Sequence, residues 1–314
     1  MRIRKALITA AGKGTRQYPA TQAIQKELIP LVDRDGITKP TLQIIIEEAL
    51  DSGIEEIGVV TAPEDEQAFH DFFQAMDDSM RRRFACKPWG LEVSDRLAKI
   101  GERLTTIPQP TPEGYGHAVW CAKDWVGGDP FLLLLGDHVY VSREERPSMR
   151  QVLDAAARYG QPVFAVQRTP ESRLHLYGTV GAEPLGDEPG MYRITRVEEK
   201  PTLELARANL RVPGLPEDQY LCFFGMHALP ASIFDCLHEL VAADRREGGE
   251  IQFAAAQAMF AKRVPTIAFE VNGARYDMGM PLGLLETQIA LALNGKFAAE
   301  VKTFWNAMTQ SVAT

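Results

Sequence analysis

The sequence has few cysteines, no long apolar run and no excess of basic residues, and each shortage excludes a class of protein. Its four cysteines among 314 residues are scattered and form no CxxC pair, which predicts reduced thiols rather than a disulfide framework or a zinc cluster. Apolar runs such as Phe131–Leu135 are far too short to cross a membrane. With 34 Lys and Arg against 42 Asp and Glu, the net charge of −8 argues against a general nucleic-acid binder. Positive charge for an anionic substrate must therefore be concentrated at one site.

What the chain does contain is a globular composition and an alternation of strand and helix patterns. Hydrophobic residues make up 45% and charged residues 24% of the sequence. An apolar segment at 6–10 predicts a buried first strand; the basic residues before it resemble the start of a signal peptide, but the apolar stretch is too short for one. Helix patterns over 40–52 and 64–80, around a strand at 56–61, give a β-α-β-α order, which requires parallel strands joined by helical crossovers.

Later segments extend the same sheet. Strands and helices are predicted in turn along the rest of the chain: strands at 131–135, 162–167, 220–228 and 266–271, shorter strands between Gly and Pro turns within 177–200, and helices at 230–243, 255–262 and 281–293. The sequence therefore predicts an α/β fold with a Rossmann-like, mixed but mostly parallel sheet flanked by helices. Ligands bind at the carboxyl ends of the strands in such a sheet.

A glycine-containing loop, AAGKGTR at residues 10–16, follows the first predicted strand. Glycine lets backbone N–H groups approach a phosphate or a base closely. The loop is neither a P-loop nor a dinucleotide fingerprint, because the spacing of its glycines and lysine does not fit. By itself it is equally well explained as a tight turn. Arg16 and Lys26 add two cations at the end of this strand, and bringing them together is costly unless an anion lies between them.

Six segments in order along the chain carry a resemblance to a known family. They are AAGKGTRQYPATQAIQKELIPLVD (10–33), Gln109 followed by EGYGHAV (113–119), LGD (135–137), YG with VEEKP (177–178 and 197–201), GGEIQ (248–252), and RYDMG with LG (275–279 and 282–283). The chain resembles the bacterial sugar-1-phosphate nucleotidyltransferases, and among them the UTP–glucose-1-phosphate uridylyltransferases, also called UDP-glucose pyrophosphorylases. The resemblance spans about residues 3–294, nearly the whole chain.

The resemblance implies a fold, a reaction and a domain organisation. The fold is that of the nucleotide-diphospho-sugar transferases. The reaction transfers a uridylyl group from UTP to glucose 1-phosphate by in-line attack on the α-phosphorus, giving UDP-glucose and pyrophosphate with the help of Mg²⁺. One nucleotidyltransferase domain would span 1–294, with a nucleotide-binding half at about 1–140 and a sugar-binding half at about 141–294, followed by a helical tail at 295–314.

The resemblance also implies catalytic and metal-binding residues. Arg16 and Lys26 would hold the triphosphate and the departing pyrophosphate, and Lys200 would neutralise the phosphate of the sugar 1-phosphate. Asp137 would be a metal ligand and Asp277 the second, since carboxylate oxygens suit Mg²⁺. From the bare sequence, Asp137 is also compatible with a turn or helix-cap aspartate, and Lys200 with a solvated lysine before a turn proline.

Substrate-binding residues follow in the same way. Glu199 would accept hydrogen bonds from sugar hydroxyls, with Glu250 and the backbone of Gly178 also facing the sugar. The base would be read by the Gln109 side chain and by backbone groups of the loops around it; the remaining implied residues on this side are Ala11, Gly12, Gly14 and Gly114. An amide matches the hydrogen-bonding edge of uracil and equally that of thymine, so the choice between these bases stays open. His117 is assigned no chemistry.

Some positions depart from the family pattern. His138 stands where the family has a second aspartate, and histidine titrates near neutrality. Ala254 and Ala255 replace polar residues near the sugar, and Met280 replaces a polar residue after Asp277. These changes leave open a nucleotidyltransferase for another base or sugar 1-phosphate, such as dTTP with glucose 1-phosphate. His138 leaves open a nucleotide-sugar-binding protein with little turnover.

The expected partners are small molecules. The resemblance implies a nucleoside triphosphate and a sugar 1-phosphate as substrates, and neither a nucleic acid nor a membrane is expected. The scattered cysteines predict a cytoplasmic protein. A homo-oligomer is usual in the resembling family, and the final helices would be available to pack against a second copy.

Overall fold

The structure is a computed structural model that describes residues 1–186 and 188–312, with side chains as far as Thr309. Its strands, in chain order, are β1 (Lys5–Thr9), β2 (Pro30–Val32), β3 (Thr38–Pro40), β4 (Glu56–Thr61), β5 (Leu104–Pro108), β6 (Phe131–Leu135), β7 (His138–Ser142), β8 (Val163–Pro170), β9 (Thr179–Pro184), β10 (Met191–Glu198), β11 (Gln219–Leu229), β12 (Ile267–Glu270) and β13 (Gly273–Asp277).

The helices of the described residues alternate with these strands. They are α1 (Ala20–Ala23), α2 (Thr41–Asp51), α3 (Glu66–Phe72), α4 (Asp78–Arg83), α5 (Pro88–Gly101), α6 (Tyr115–Cys121), α7 (Lys123–Val126), α8 (Ser148–Tyr159), α9 (Leu203–Asn209), α10 (Ile233–Ala242), α11 (Phe253–Arg263), α12 (Pro281–Leu293) and α13 (Ala298–Val312). Short 3-10 turns include Thr15–Gln17 and Lys26–Leu28. None of these helices combines the length and the apolar character needed to span a membrane.

Nine strands form one sheet in the order β5-β4-β1-β6-β11-β8-β12-β10-β9. The pairings among β5, β4, β1 and β6 are all parallel, whereas β10 and β11 run against their neighbours. The other strands, including β8, β12 and β9, therefore share one direction. The predicted α/β class with a mixed, mostly parallel sheet is confirmed.

Apolar side chains cover both faces of this sheet. One cluster packs against α6, α10 and α11, and a second packs against α2 and α8. The central strands β1 and β6 are buried on both faces, which explains why they read as continuous apolar runs rather than alternating patterns. The loops that follow β4, β1 and β6 therefore start from strands that are anchored in the apolar core.

One predicted helix is wrong. The pattern over 64–80 predicts a single helix, but the chain forms α3 and then α4, with residues 73–77 between them. Asp77 ends the continuity, because its side chain accepts a hydrogen bond from Met80 N (2.8 Å) and so caps a new helix. The segment is helical on both sides of residues 73–77, but the cap at Asp77 starts a second helix.

A small two-stranded sheet brings two distant segments together. Strand β13 pairs antiparallel with β7, and the register sets Asp277 opposite His138. Because only two residues separate the end of β6 from the start of β7, this pairing carries Asp277 to the carboxyl edge of the main sheet.

Candidate active site

Two adjoining cavities open at the carboxyl edge of the sheet. One has a volume of about 450 Å³ and lies beside the 10–16 loop; the other, of about 340 Å³, lies beside the later strands. They share four wall residues, which are Arg16, Tyr115, Leu135 and Asp137. We refer to them as the loop-side cavity and the strand-side cavity.

The loop-side cavity collects residues from several separate segments, among them the loops after β1 and β5. Ala11, Gly12 and Lys26 follow β1, whereas Gln109 and Gly114 follow β5. Because β5, β4 and β1 are parallel neighbours, these loops lie at the same edge of the sheet; the sequence analysis did not predict β5. Gly114 has a φ of 107°, and a Cβ there would lie 2.7 Å from the Cβ of Glu250, so the close approach requires glycine.

Glu250 lies in this first cavity. It lines the loop-side cavity beside Gly114, and is absent from the described lining of the strand-side cavity. The sequence resemblance implies that Glu250 faces the sugar together with Gly178, which lines the other cavity. Glu250 lies beside Gly114 because it precedes Ile251, whose backbone is hydrogen-bonded to Glu113 and Gly116 next to the 109–114 loop.

The strand-side cavity contains the residues predicted to bind the sugar phosphate and its hydroxyl groups. Gly178, Glu199 and Lys200 line it, together with Asp277. Lys200 has a φ of 42°, in the left-handed region, and its N–H donates to the carbonyl of Tyr177 (3.2 Å). A Cβ at position 178 would lie 2.9 Å from Glu199 Oε2, so glycine there lets the carboxylate approach the backbone.

Lys26 lies between two buried carboxylates. Its Nζ donates to Asp137 Oδ2 (2.6 Å) and lies 3.4 Å from Glu27 Oε1, without hydrogen-bond geometry. The side chains of Lys26 and Asp137 are each 13% exposed, and that of Glu27 is fully buried. Burial opposes the charged form of Lys26, but the charges of Asp137 and Glu27 outweigh it and raise its pKa.

The pKa values of the two carboxyl groups, Glu27 and Asp137, shift in opposite directions. Burial raises the pKa of Glu27 to about 8, because the nearby Lys26 only partly offsets the loss of hydration. Burial also acts on Asp137, but Lys26 and His138 outweigh it and lower its pKa. Asp137 is therefore ionised at neutral pH, whereas the carboxyl group of Glu27 is harder to ionise than an exposed glutamate.

A second cluster of ligand atoms lies around Asp137. Among the described residues, Asp137, His138 and Asp277 each offer one ligand atom, and these atoms lie within 4.8 Å of one another. His138 Nε2 is 3.8 Å from Asp277 Oδ1, and Gly279 N donates to the same oxygen (2.8 Å). Burial of Asp277 is outweighed by His138, this N–H and Arg16, and its pKa is lowered.

The arrangement fits a divalent cation. A Cβ at Gly279 would lie 2.9 Å from both Asp137 Oδ2 and Asp277 Oδ1, so the glycine leaves open the space between two ionised carboxylates. Oxygen donors of this kind are the ligands that hard cations such as Mg²⁺ prefer, and His138 adds a nitrogen donor. The predicted metal ligands Asp137 and Asp277 thus lie together.

The remaining predicted residues differ in their exposure. Arg16 lines both cavities and is exposed, and its Nη1 lies 3.2 Å from Met280 Sδ. Gly14 does not line either cavity; it starts the Thr15–Gln17 turn with a φ of 61°. Thr21 Oγ1 donates to its carbonyl oxygen (3.1 Å). Gly14 shapes the loop, whereas Arg16 faces both cavities.

Several residues of the site were not predicted. Tyr115 lines both cavities, and Arg275 and Tyr177 form part of the strand-side wall. The Arg275 guanidinium lies 4.1 Å from the Tyr177 ring centre and donates to the carbonyl of Phe223 (2.5 Å). Tyr115, Tyr177 and Arg275 lie inside the EGYGHAV, YG and RYDMG segments. A position in these segments does not distinguish a residue that lines a cavity from one that is buried.

Proteins with similar sequences belong to one family. Residues 5–292 match the sequence model of the family described as nucleotidyl transferase. The chain is 35% identical to UTP–glucose-1-phosphate uridylyltransferase of Bacillus subtilis (strain 168) over 296 residues, 94% of this chain and 93% of the relative. It is 34% identical to the enzyme of the same name from Staphylococcus haemolyticus (strain JCSC1435), covering 93% of both.

Solved structures agree with these relatives. A UDP-glucose pyrophosphorylase complexed with UDP-glucose superposes with a TM-score of 0.73 at 28% identity, covering 92% of this chain and 98% of that one. A UTP-bound UGPase from Acinetobacter baumannii superposes with a TM-score of 0.76 at 26% identity, covering 96% and 98%. The residues that line both cavities fall within residues 5–292, the range that matches the family model.

Proposed function

The chain belongs to the nucleotidyl transferase family, and from this premise we propose how its two cavities work. The protein is a UTP–glucose-1-phosphate uridylyltransferase that joins UTP and glucose 1-phosphate to give UDP-glucose and pyrophosphate. The observation that carries the residue assignment is that Arg16 and Asp137 line both cavities at their shared wall. The reacting phosphates would meet at that wall.

The loop-side cavity would hold UTP. The base would lie against Gln109 and Gly114, and the triphosphate would extend along Ala11 and Gly12 toward Lys26, all of which line this cavity. A Cβ at Gly12 would lie 3.4 Å from Lys26 Nζ, so the ammonium group is close to the loop backbone. Lys26 has three donors and can bind a phosphate oxygen while it holds Asp137.

The strand-side cavity would hold glucose 1-phosphate. Lys200 would bind the sugar phosphate, while Glu199 accepts hydrogen bonds from hydroxyl groups. A phosphate oxygen of the sugar attacks the α-phosphorus of UTP in line, the bond to the bridging oxygen of the β-phosphate breaks, and pyrophosphate leaves. Arg16 and Lys26 would stabilise the negative charge that accumulates on the departing pyrophosphate.

We propose Mg²⁺ as the metal. Asp137 and Asp277 would hold it, with His138 beside them. When bound, a divalent cation supplies positive charge to phosphate oxygens and lowers the repulsion between two anionic substrates. The role of the protein is to keep both carboxylates ionised and to hold one oxygen of each 2.9 Å from the point that a Cβ on Gly279 would occupy, which the glycine leaves open.

Three further features of the protein stay proposals. We propose a cytoplasmic location, supported by four free cysteines. We propose that a first half, about residues 1–140, binds the nucleotide and that a second half, about residues 141–294, binds the sugar. We also propose a homo-oligomer, supported by the exposed apolar side chains of α12 and α13.

The test of the function is pyrophosphate release from the purified protein with Mg²⁺. Each of UTP, dTTP, CTP, GTP and ATP is combined with each of a panel of sugar 1-phosphates. Release with UTP and glucose 1-phosphate, and at least tenfold slower release with other pairs, is the expected result. Preference for another pair would mean that Ala254, Ala255 or Met280 changed the specificity. Binding of UDP-glucose without turnover would identify a binding protein instead.

A further inference from the structure

Gln109 can present either of two groups to a base, and the two select different bases. Its side-chain amide has a carbonyl oxygen that accepts and an NH₂ group that donates. Uracil and thymine carry an N–H at ring position 3, which needs an acceptor, whereas cytosine carries a bare nitrogen there, which needs a donor. The orientation of one amide therefore bears on which nucleoside triphosphate fits.

The structure orients this amide through two acceptors. Gln109 Nε2 donates to the carbonyl oxygen of Gly114 (3.2 Å) and lies 3.1 Å from His117 Nδ1. A carbonyl oxygen only accepts, so the NH₂ group must be the one that faces Gly114. Both amide hydrogens then have partners, and no donor among the described residues reaches Gln109 Oε1. That oxygen is the group left for a ligand in the loop-side cavity, which Gln109 lines.

His117 completes the arrangement from helix α6. Its side chain is 13% exposed, and its other ring nitrogen, Nε2, lies 4.0 Å from Glu113 Oε1 and 3.9 Å from Cys121 Sγ. A carboxylate near Nε2 favours the proton on that nitrogen, which leaves Nδ1 bare to accept from Gln109. Glu113 is held in turn by Thr111 Oγ1 (2.7 Å) and Arg246.

We propose that His117 is a positioning residue for base selection. By accepting a hydrogen bond from Gln109 Nε2, it holds the Gln109 carbonyl oxygen toward the loop-side cavity, and the site thereby favours bases with an N–H at position 3 over cytosine. The inference rests on the proposed function, because it assumes that the base lies against Gln109.

The experiment compares kcat and KM for UTP and CTP in three variants. His117→Leu removes the acceptor, and His117→Asn offers an amide oxygen near the position of Nδ1. Cys121→Ala is the matched control, since it changes the other neighbour of the same ring. Loss of one neutral hydrogen bond corresponds to about a three- to tenfold effect. We expect His117→Leu to lower the ratio of kcat/KM for UTP over CTP by that factor, mainly through a higher KM for UTP.

The expected pattern is specific. His117→Asn should restore the ratio to within about twofold, and Cys121→Ala should leave it unchanged. A ratio that is unchanged in His117→Leu, or lowered equally in Cys121→Ala, would overturn the proposal. A general packing defect would lower kcat for both nucleotides without changing their ratio.

A second measurement needs no variant. The ¹⁵N spectrum of the histidine rings in the unmodified protein reports which nitrogen of His117 carries the proton, and we expect Nε2. A proton on Nδ1 would overturn the inference even if all variants fail to fold. If the unmodified protein releases no pyrophosphate from UTP, the proposed function fails; the ratio of UTP to CTP affinities in His117→Leu then still tests the positioning role.

Discussion

Lys26 is the residue whose removal should affect both catalysis and folding. Its ammonium group touches Asp137 and lies near Glu27, whose carboxylate oxygens have no hydrogen-bond partner in the described part of the chain. A cation in this position can stabilise charge on a departing phosphate, and it also compensates two buried acids. Glu27 can limit the cost by remaining protonated, since its pKa is about 8.

We expect Lys26→Met to lower kcat by about 100-fold or more, because it removes a cation that acts on developing charge. Stability should fall by about 1–3 kcal/mol, because Asp137 loses its charge-assisted hydrogen bond. Pyrophosphate release and urea unfolding measure the two effects. Lys99→Met is the control, since Lys99 lies on α5, is exposed and lines neither cavity. A Lys26→Met enzyme with near-normal kcat would contradict the assignment.

Asp137 provides a second test at the same scale. Asp137→Asn keeps the shape of the side chain but removes its negative charge. That charge lies beside Asp277 and His138 around the proposed metal position. We expect the affinity for Mn²⁺, measured by electron paramagnetic resonance with UTP present, to fall at least tenfold. Asp129→Asn is the control, because Asp129 lies at the other end of β6 and pairs with Lys5. Equal Mn²⁺ affinity in both variants would remove Asp137 from the metal site.

At the scale of elements, a buried acid joins two helices. Glu48 lies on α2, and its Oε1 accepts from Met149 N (3.2 Å) in the first turn of α8. Burial raises the pKa of Glu48 from 4.5 to about 7, because backbone N–H groups offset only part of the lost hydration. In the unfolded chain the same carboxyl group loses its proton near pH 4.5. The contribution of Glu48 to stability therefore decreases as pH rises from about 4.5 to 7.

Glu48→Gln should remove this dependence. Glutamine does not titrate, so the stability of the variant relative to the unmodified protein should rise between pH 5 and 8, by about 2 kcal/mol. Urea unfolding at several pH values measures this difference, whatever constant offset the substitution introduces. Glu102→Gln, at an exposed position after α5, should show no such trend. A difference that is constant with pH would mean that Glu48 has an ordinary pKa in the folded protein.

At the scale of the whole molecule, the last two helices present an apolar surface. On α12, exposed apolar side chains recur at three- and four-residue intervals, and α13 adds two exposed aromatic residues; the set is Leu282, Leu285, Ile289, Leu293, Phe304 and Trp305. Exposed apolar surface of this extent is typical of an interface between proteins. A second copy of the chain is the partner we propose for it.

We expect the unmodified protein to sediment as an oligomer and the double variant Phe304→Glu, Trp305→Glu to sediment as a smaller species. Two charges in an apolar interface would be desolvated without partners. The rate of uridylyl transfer should change less than threefold, because neither Phe304 nor Trp305 lines either cavity. Trp89→Glu, at another exposed tryptophan, is the control. A monomeric unmodified protein would contradict the expectation outright.

The sequence alone determined the class of fold and the residue types of the site. Apolar runs mark β1, β4 and β6 because strands buried on both faces need no polar alternation. Parallel strands then place the loops after them at one edge, so Lys26 and Asp137 were expected at that edge, whereas Gln109 was assigned to the site only through the family resemblance. Local patterns are enough for this, because strand type and strand direction follow from short segments and their connections.

Only the tertiary structure decided how these groups face one another. The contact of Lys26 with Asp137 joins residues 111 positions apart, and the pairing of β13 with β7 brings Asp277 to the same point. The burial of Glu27, the side of the cavity that Glu250 lines and the orientation of the Gln109 amide likewise depend on contacts between distant segments. Local periodicity carries no information about such contacts, because the same residue pattern is compatible with a partner on either side.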